Sequence, residues 1–140
     1  MIHNIRFRVI DSQDESVEEL TQGLLNILPN AEIETEEAEG ILENKITILS
    51  GLVSKKKYTK EFFNALKDLD TEILEKLILD LDKKVDEHGN LFLRFSKKDA
   101  IDEKWTILDS GDCIHLKIKI AAYPAKKEIA ISKIKEEIIV

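Results

Sequence analysis

The chain has 140 residues, 43% of them hydrophobic and 35% charged, a formal charge of −7 and a single cysteine. That length supports one hydrophobic core and is short for two, while one cysteine excludes an intrachain disulfide scaffold. Ile and Leu recur through the charged stretches, which excludes a disordered polyampholyte, and no run of about 18 apolar residues is present to cross a bilayer.

The opening "IHNIRFRVI" alternates Ile5, Phe7 and Val9 with Asn4, Arg6 and Arg8, the period of a strand with one wet face. Its two arginines fall where a signal peptide is apolar, so a cytoplasmic protein with no membrane partner is expected. Ser12 and Glu15 read as a capping box opening a helix in which Val17, Leu20, Leu24 and Leu28 repeat until Pro29 and Asn30. Next, Ala31 and Ile33 alternate with Glu32, Glu34 and Glu36, and after Gly40 and Asn44 "NKITILSGLV" supplies a more apolar strand expected to pair with them.

From Ser54 the pattern turns helical. Tyr58, Phe62, Phe63, Leu66 and Leu69 form one stripe and Ile73, Leu74, Leu77, Ile78 and Leu81 a second, giving two helices or one bent one. "KKVDEHGNLFLRF" predicts a hairpin, with His88-Gly89-Asn90 as turn between Val85 and the alternating Leu91, Leu93 and Phe95. Ser96 and Asp99 cap a short helical turn, and a glycine turn at residues 110–112 leads to a strand with Ile114, Leu116, Ile118 and Ile120 facing inward. Pro124 is expected at the first position of a last helix carrying Ile131, Ile134 and Ile138. The order predicts one α+β domain over residues 1–140, a single-layer, mostly antiparallel sheet with helices on one face.

Charge is segregated along this order. Residues 11–44 hold eleven acids and no lysine or arginine, whereas residues 113–127 hold four lysines and no acid. With the helices on the Ile5/Ile118 side, the open face displays Arg6, Arg8, Phe92, Arg94, His115, Lys117 and Lys119, a mixture suited to phosphates and stacked bases. Lys126 and Lys127 at the start of the last helix add cations where its dipole favours anions. The competing explanation is structural: Glu32, Glu34 and Glu36 share that face, and cross-strand acid–base pairs stabilise a sheet without any ligand. Strand order decides between the two.

Catalytic and metal patterns are weak. Cys113 and His115 sit two apart without the C-x-x-C or H-x-x-x-H spacing of a zinc site, and no orienting group marks them as a nucleophile and base. "EIETEEAEGILE" reads as a solvated edge that discourages aggregation, and no glycine falls into G-x-x-x-x-G-K. Trp105 and Tyr58 read as core or rim aromatics, and the terminal "EEIIV" either docks on the body or marks a self-association surface.

"HNIRFRV", "EEAEG", "VDEHGNLFLRFSKKDA" and "GDCIHLKIKIAAYPAKKEIA", in this order, resemble an archaeal protein family, formerly of unknown function, described as RNA-binding and as predicted exosome subunits. The family's fold is described as like that of the large-subunit ribosomal protein that binds 5S RNA. The resemblance implies a non-enzymatic domain for structured RNA, with no cofactor and no catalytic residues. Taken with the residues themselves, it assigns Arg6, Arg8, Arg94, Lys117, Lys119, Lys126 and Lys127 to phosphates and Phe92 or Tyr123 to stacking. The alternative is a protein–protein or self-associating module using the acidic 32–43 segment or the apolar C-terminus.

Overall fold

The computed structural model describes residues 1–12, 15–39 and 45–139. Among them the elements run β1 (Ile2–Asp11), α1 (Val17–Ile27), β2 (Glu34–Glu39), β3 (Lys45–Val53), α2 (Lys56–Lys67), α3 (Thr71–Leu79), α4 (Leu81–Lys84), β4 (Asn90–Phe95), α5 (Lys97–Ile101), β5 (Ile107–Leu108), β6 (Ile114–Ile120) and α6 (Lys127–Glu137). This is the expected α+β class. The strands hydrogen-bond in the order β2-β3-β1-β6-β4-β5, with β2/β3 and β4/β5 antiparallel. The chain divides into two compact units, one of Met1–Ile5, Ser54–Leu93 and Lys117–Val140, the other of Arg6–Val53 and Arg94–Leu116.

The second unit is built on the period-two rows. Phe7, Val9, Leu49, Val53, Phe95, Ile114 and Leu116 are buried, and so are Leu20, Leu24 and Ile27 of α1 and Ala100 of α5. The alternate strand positions Arg6, Arg8, Leu52, Arg94 and His115 are exposed or half-exposed, so the helices cover one face of the strands. Gly23 allows α1 and α5 to approach: a Cβ there would stand 3.1 Å from Ile101 Cγ1 and 3.3 Å from its backbone nitrogen. The helix interior therefore accepts a residue of poor propensity in exchange for packing. Asn26 Nδ2 donates to the Ala100 carbonyl at 2.8 Å, and Trp105 donates to the Asn26 carbonyl while meeting the Phe95 ring edge-on at 5.3 Å.

In the first unit, Ile2, Ile5, Leu91, Leu93, Ile118 and Ile120 are buried with Phe62, Phe63, Leu66, Leu74, Leu77, Leu81, Ala130 and Ile134 of its helices. The turn before β4 is organised by Asp86, whose carboxylate accepts from the backbone of His88 and Asn90, both at 2.9 Å. Gly89 takes φ +78°, a conformation that glycine adopts without steric cost.

Four boundaries differ from expectation. Ser16, not Ser12, caps α1, accepting from Glu19 N at 3.2 Å; Ser12 and Glu15 do pair, the Glu15 carboxylate accepting from the Ser12 backbone at 3.1 Å and from its hydroxyl at 2.9 Å, but that turn stands ahead of the helix. β2 starts at Glu34 rather than Ala31, because a strand exposed on both faces has no apolar row to mark its start. The first arm of the hairpin is a single bridge, Val85 to Leu91, since residues 81–84 continue as helix. Pro124 lies upstream of the last helix, whose N-cap position is Lys126. The expected turn through Gly40 and Asn44 lies outside the described residues.

Candidate nucleic-acid interface

The strand order resolves the ambiguity that composition left. β1, β6 and β4 are consecutive, and β2 is at the far edge with β3 between it and β1. Opposed residues in an antiparallel ladder share a face, so Glu34 and Glu36 look outward beside their partners Ser50 and Ile48, not beside arginines. The acid–base pair of this ladder, Glu39 with Lys45, belongs to the other face. Glu32 precedes the strand. The explanation in which the basic strands merely answer the glutamates of a neighbour therefore fails at the level of register.

In the second unit the outward row consists of Arg6 and Arg8 on β1, His115 on β6 and Arg94 on β4. Period-two alternation points all four away from the buried rows. Their proximity is electrostatically evident: burial lowers the His115 pKa below 6.5, and the positive charges of Arg94 and Arg8 lower it further. A base held neutral between two guanidiniums keeps the row cationic without adding repulsion. Cys113, two residues before His115, has its thiol pushed up by burial, so it is a poor nucleophile. Among the described residues no group of three or more His, Cys, Asp or Glu is arranged to hold a metal ion.

The strand ends beneath this row are tied by Lys97, which the sequence reading did not single out. It directly follows β4 and the Ser96 cap, and its side chain is only 8% exposed. Its Nζ donates to the Ile10 carbonyl at 2.6 Å, to Glu15 Oε1 at 2.9 Å and to Asp112 Oδ2 at 2.8 Å. One ammonium thus joins the ends of the strands that carry Arg8, Arg94 and His115. Beside it Asp11 is buried, with an Oδ1 that meets no hydrogen-bond donor.

In the first unit, Lys117 is exposed, Phe92 and Lys119 are half-buried, and Lys119 Nζ donates to the His88 carbonyl. Tyr123 is 98% exposed, ahead of Lys126 at the N-cap and Lys127 at the first position of α6. Lys127 forms an ion pair with Asp82 at 3.4 Å, so Lys117 and Lys126 are the more available cations. A further basic surface, passed over in sequence, is Lys55, Lys56, Lys57 and Lys60 at the start of α2, all exposed. No acid accompanies them in that first turn, where the dipole disfavours cations; that opposition was the signal available. At the C-terminus Ile138 is buried and Ile139 exposed, so part of the apolar end docks on the body.

Comparison with known proteins gives these features a context. The model of a family described as RNA binding matches residues 4–120. "RNA-binding protein PAB1135" of Pyrococcus abyssi is 28% identical, over 96% of this chain and 92% of its own. Among solved structures, Mth689, a DUF54 protein from Methanothermobacter thermautotrophicus, is 37% identical with a TM-score of 0.88, covering 99% of both chains. AF2318 from Archaeglobus fulgidus, also DUF54, is 26% identical with a TM-score of 0.85, over 97% of this chain and 99% of that one. No helix among the described residues is long and apolar enough to cross a membrane.

Proposed function

The chain belongs to the RNA-binding family, and from that premise we propose that it binds structured RNA without catalysing a reaction, through the outward cations of its strands. The observation that carries this reading is the separation of charge by strand order: Arg6, Arg8 and Arg94 stand on consecutive strands with His115, and the glutamates of β2 lie beyond β3. Guanidiniums offer forked donors that match phosphate oxygens, and a flat strand surface holds them at fixed spacing. In the first unit, Lys117 and Lys126 serve phosphates and Tyr123 stacks on an unpaired base, with Phe92, Lys119 and Lys127 in supporting places. RNA processing, with the exosome as candidate assembly, is the setting that the sequence resemblance implies.

The test is a salt titration of binding to a stem-loop RNA, followed by fluorescence anisotropy. Each phosphate contact contributes about 0.7 to 0.9 to the slope of log affinity against log salt. Arg8→Gln with Arg94→Gln should therefore lower the slope by about 1.5, whereas Lys98→Gln on α5 leaves it unchanged. An unchanged slope in the double arginine variant overturns the reading.

A further inference from the structure

The outward face of the second unit is graded from strand to strand. β2 presents Glu34 and Glu36, both exposed. β3 presents Ile46, Ile48, Ser50 and Leu52 with no charge among them, Leu52 being 42% exposed. β1 presents Arg6 and Arg8 and then Ile10, 38% exposed. Acid, apolar strip and base thus follow one another across three hydrogen-bonded strands. An apolar strip flanked by opposite charges is unlike a simple solvated sheet, and it has one property that a uniformly basic face lacks: it complements itself.

A two-fold axis parallel to the strands and running along β3 reverses their lateral order in a second copy laid face to face. The β2 strand of each copy then stands over the β1 strand of the other, with Glu34 over the arginine pair, and the apolar strips meet. Along the strands Glu34 is level with the arginine stretch and Glu36 stands two residues beyond it, opposite Ile48. A Cβ on Gly51 would stand 2.5 Å from the Phe7 ring, so the Arg6–Arg8 stretch runs alongside residues 50–52, and Ser50 faces Glu34 across the ladder. Opposed sheets sit about 10 Å apart, a gap that a glutamate and an arginine side chain together span. Such an arrangement is isologous and closed, as in most homodimers.

We propose that this face is a self-complementary interface at which two copies of the chain form a weak, salt-sensitive dimer. Three strands about 4.8 Å apart and about 20 Å long give a footprint of about 300 Å² in projection. That lies towards the low end for association, since a standard interface buries about 800 Å² of accessible surface per partner. The dimer covers Arg6 and Arg8, so a second copy and an RNA compete for the same guanidiniums. The proposal does not depend on the RNA reading, because self-association is measured without RNA.

The experiment is sedimentation velocity of the full chain from low-micromolar to near-millimolar concentration. At low salt the mass should rise from 16.0 kDa towards twice that value, and high salt should suppress the rise. Glu34→Lys with Glu36→Lys opposes like charges in the homodimer, as does Arg6→Glu with Arg8→Glu, and each double variant should remain monomeric. An equimolar mixture of the two restores both sets of pairs and should dimerise. Leu52→Lys, an exposed position that leaves folding intact by circular dichroism, should weaken association at least tenfold. A wild-type chain that stays monomeric, a double variant that still dimerises, or a mixture that does not associate would each overturn the proposal.

Discussion

Lys97→Met replaces a buried ammonium with an apolar chain of similar length, and its cost follows from what the ammonium leaves behind. Three acceptors lose their donor: the Ile10 carbonyl, Glu15 and Asp112. Breaking a fully buried pair costs about 3–5 kcal/mol. Here the carboxylates are 27% and 67% exposed and regain water, so the expected loss is about 2 kcal/mol. For a domain of this size that lowers the melting temperature by about 6–8 °C.

The pH dependence supplies a second readout. Burial raises the Glu15 pKa, but bonds from Lys97 and Ser12 outweigh it and hold it below 4.5, so this stability is present above 4.5 and lost as pH falls through the folded value. Burial pulls Lys97 down, but its bonds to Asp112 and Glu15 raise it above 10.5, so its contribution is present below 10.5 and lost as pH rises through the folded value. The gap between wild type and variant should be widest between these limits and narrow on acidification. Urea unfolding across pH measures it. A gap under about 0.5 kcal/mol at neutral pH, or one that does not narrow in acid, refutes the reasoning. Because Lys97 joins the strand ends beneath the arginine row, the variant should also weaken RNA binding with little change in salt slope, the mark of lost positioning rather than lost charge.

Other variants probe neighbouring features. Burial, then Glu15, raise the Asp11 pKa above 3.8, so ionised Asp11 strains the fold at neutral pH; Asp11→Asn should stabilise by about 1 kcal/mol, with the gain vanishing as pH falls below the folded pKa, read by thermal unfolding. Gly51→Ala places a methyl 2.5 Å from the Glu32 carbonyl and the Phe7 ring, so a loss of about 1–3 kcal/mol in urea unfolding is expected. His115 should titrate below 6.5 in an NMR titration, and Arg94→Gln should move it upward. Its depressed pKa also means that stability present above 6.5 is lost as pH falls through the folded value.

What the sequence made legible was local. The alternation of Ile114, Leu116, Ile118 and Ile120 phases β6 correctly, and all four are buried, because a strand buried on one face writes its period into the chain. Ser96 and Asp99 cap α5 as expected, with the donor–acceptor pair three residues apart. The start of β2 was not legible, since exposed glutamates fit either phase. Nor was Lys97: in "SKKDA" it resembles any solvated lysine, and the partners that bury it are 87, 82 and 15 residues away. Strand order escaped for the same reason. It is fixed by packing between segments far apart in sequence, with β6 inserted between β1 and β4.

The same order reconciles a chain of formal charge −7 with an anionic ligand. β2 lies two strand spacings from β1, about 10 Å; β6 and β4 are about 14 and 19 Å away. The screening length in physiological salt is about 8 Å, so Glu34 and Glu36 are felt at Arg6 and Arg8 and only faintly at Arg94. Neutralising both as Glu34→Gln and Glu36→Gln should therefore tighten RNA binding several-fold in low salt, with the gain shrinking as salt rises. In an Arg6→Gln, Arg8→Gln background the gain should largely disappear, because the remaining arginine is beyond the glutamates' reach. A gain of equal size in that background would mean that the acids act through the total charge of the protein, and the distances between strands would then carry no part of the explanation.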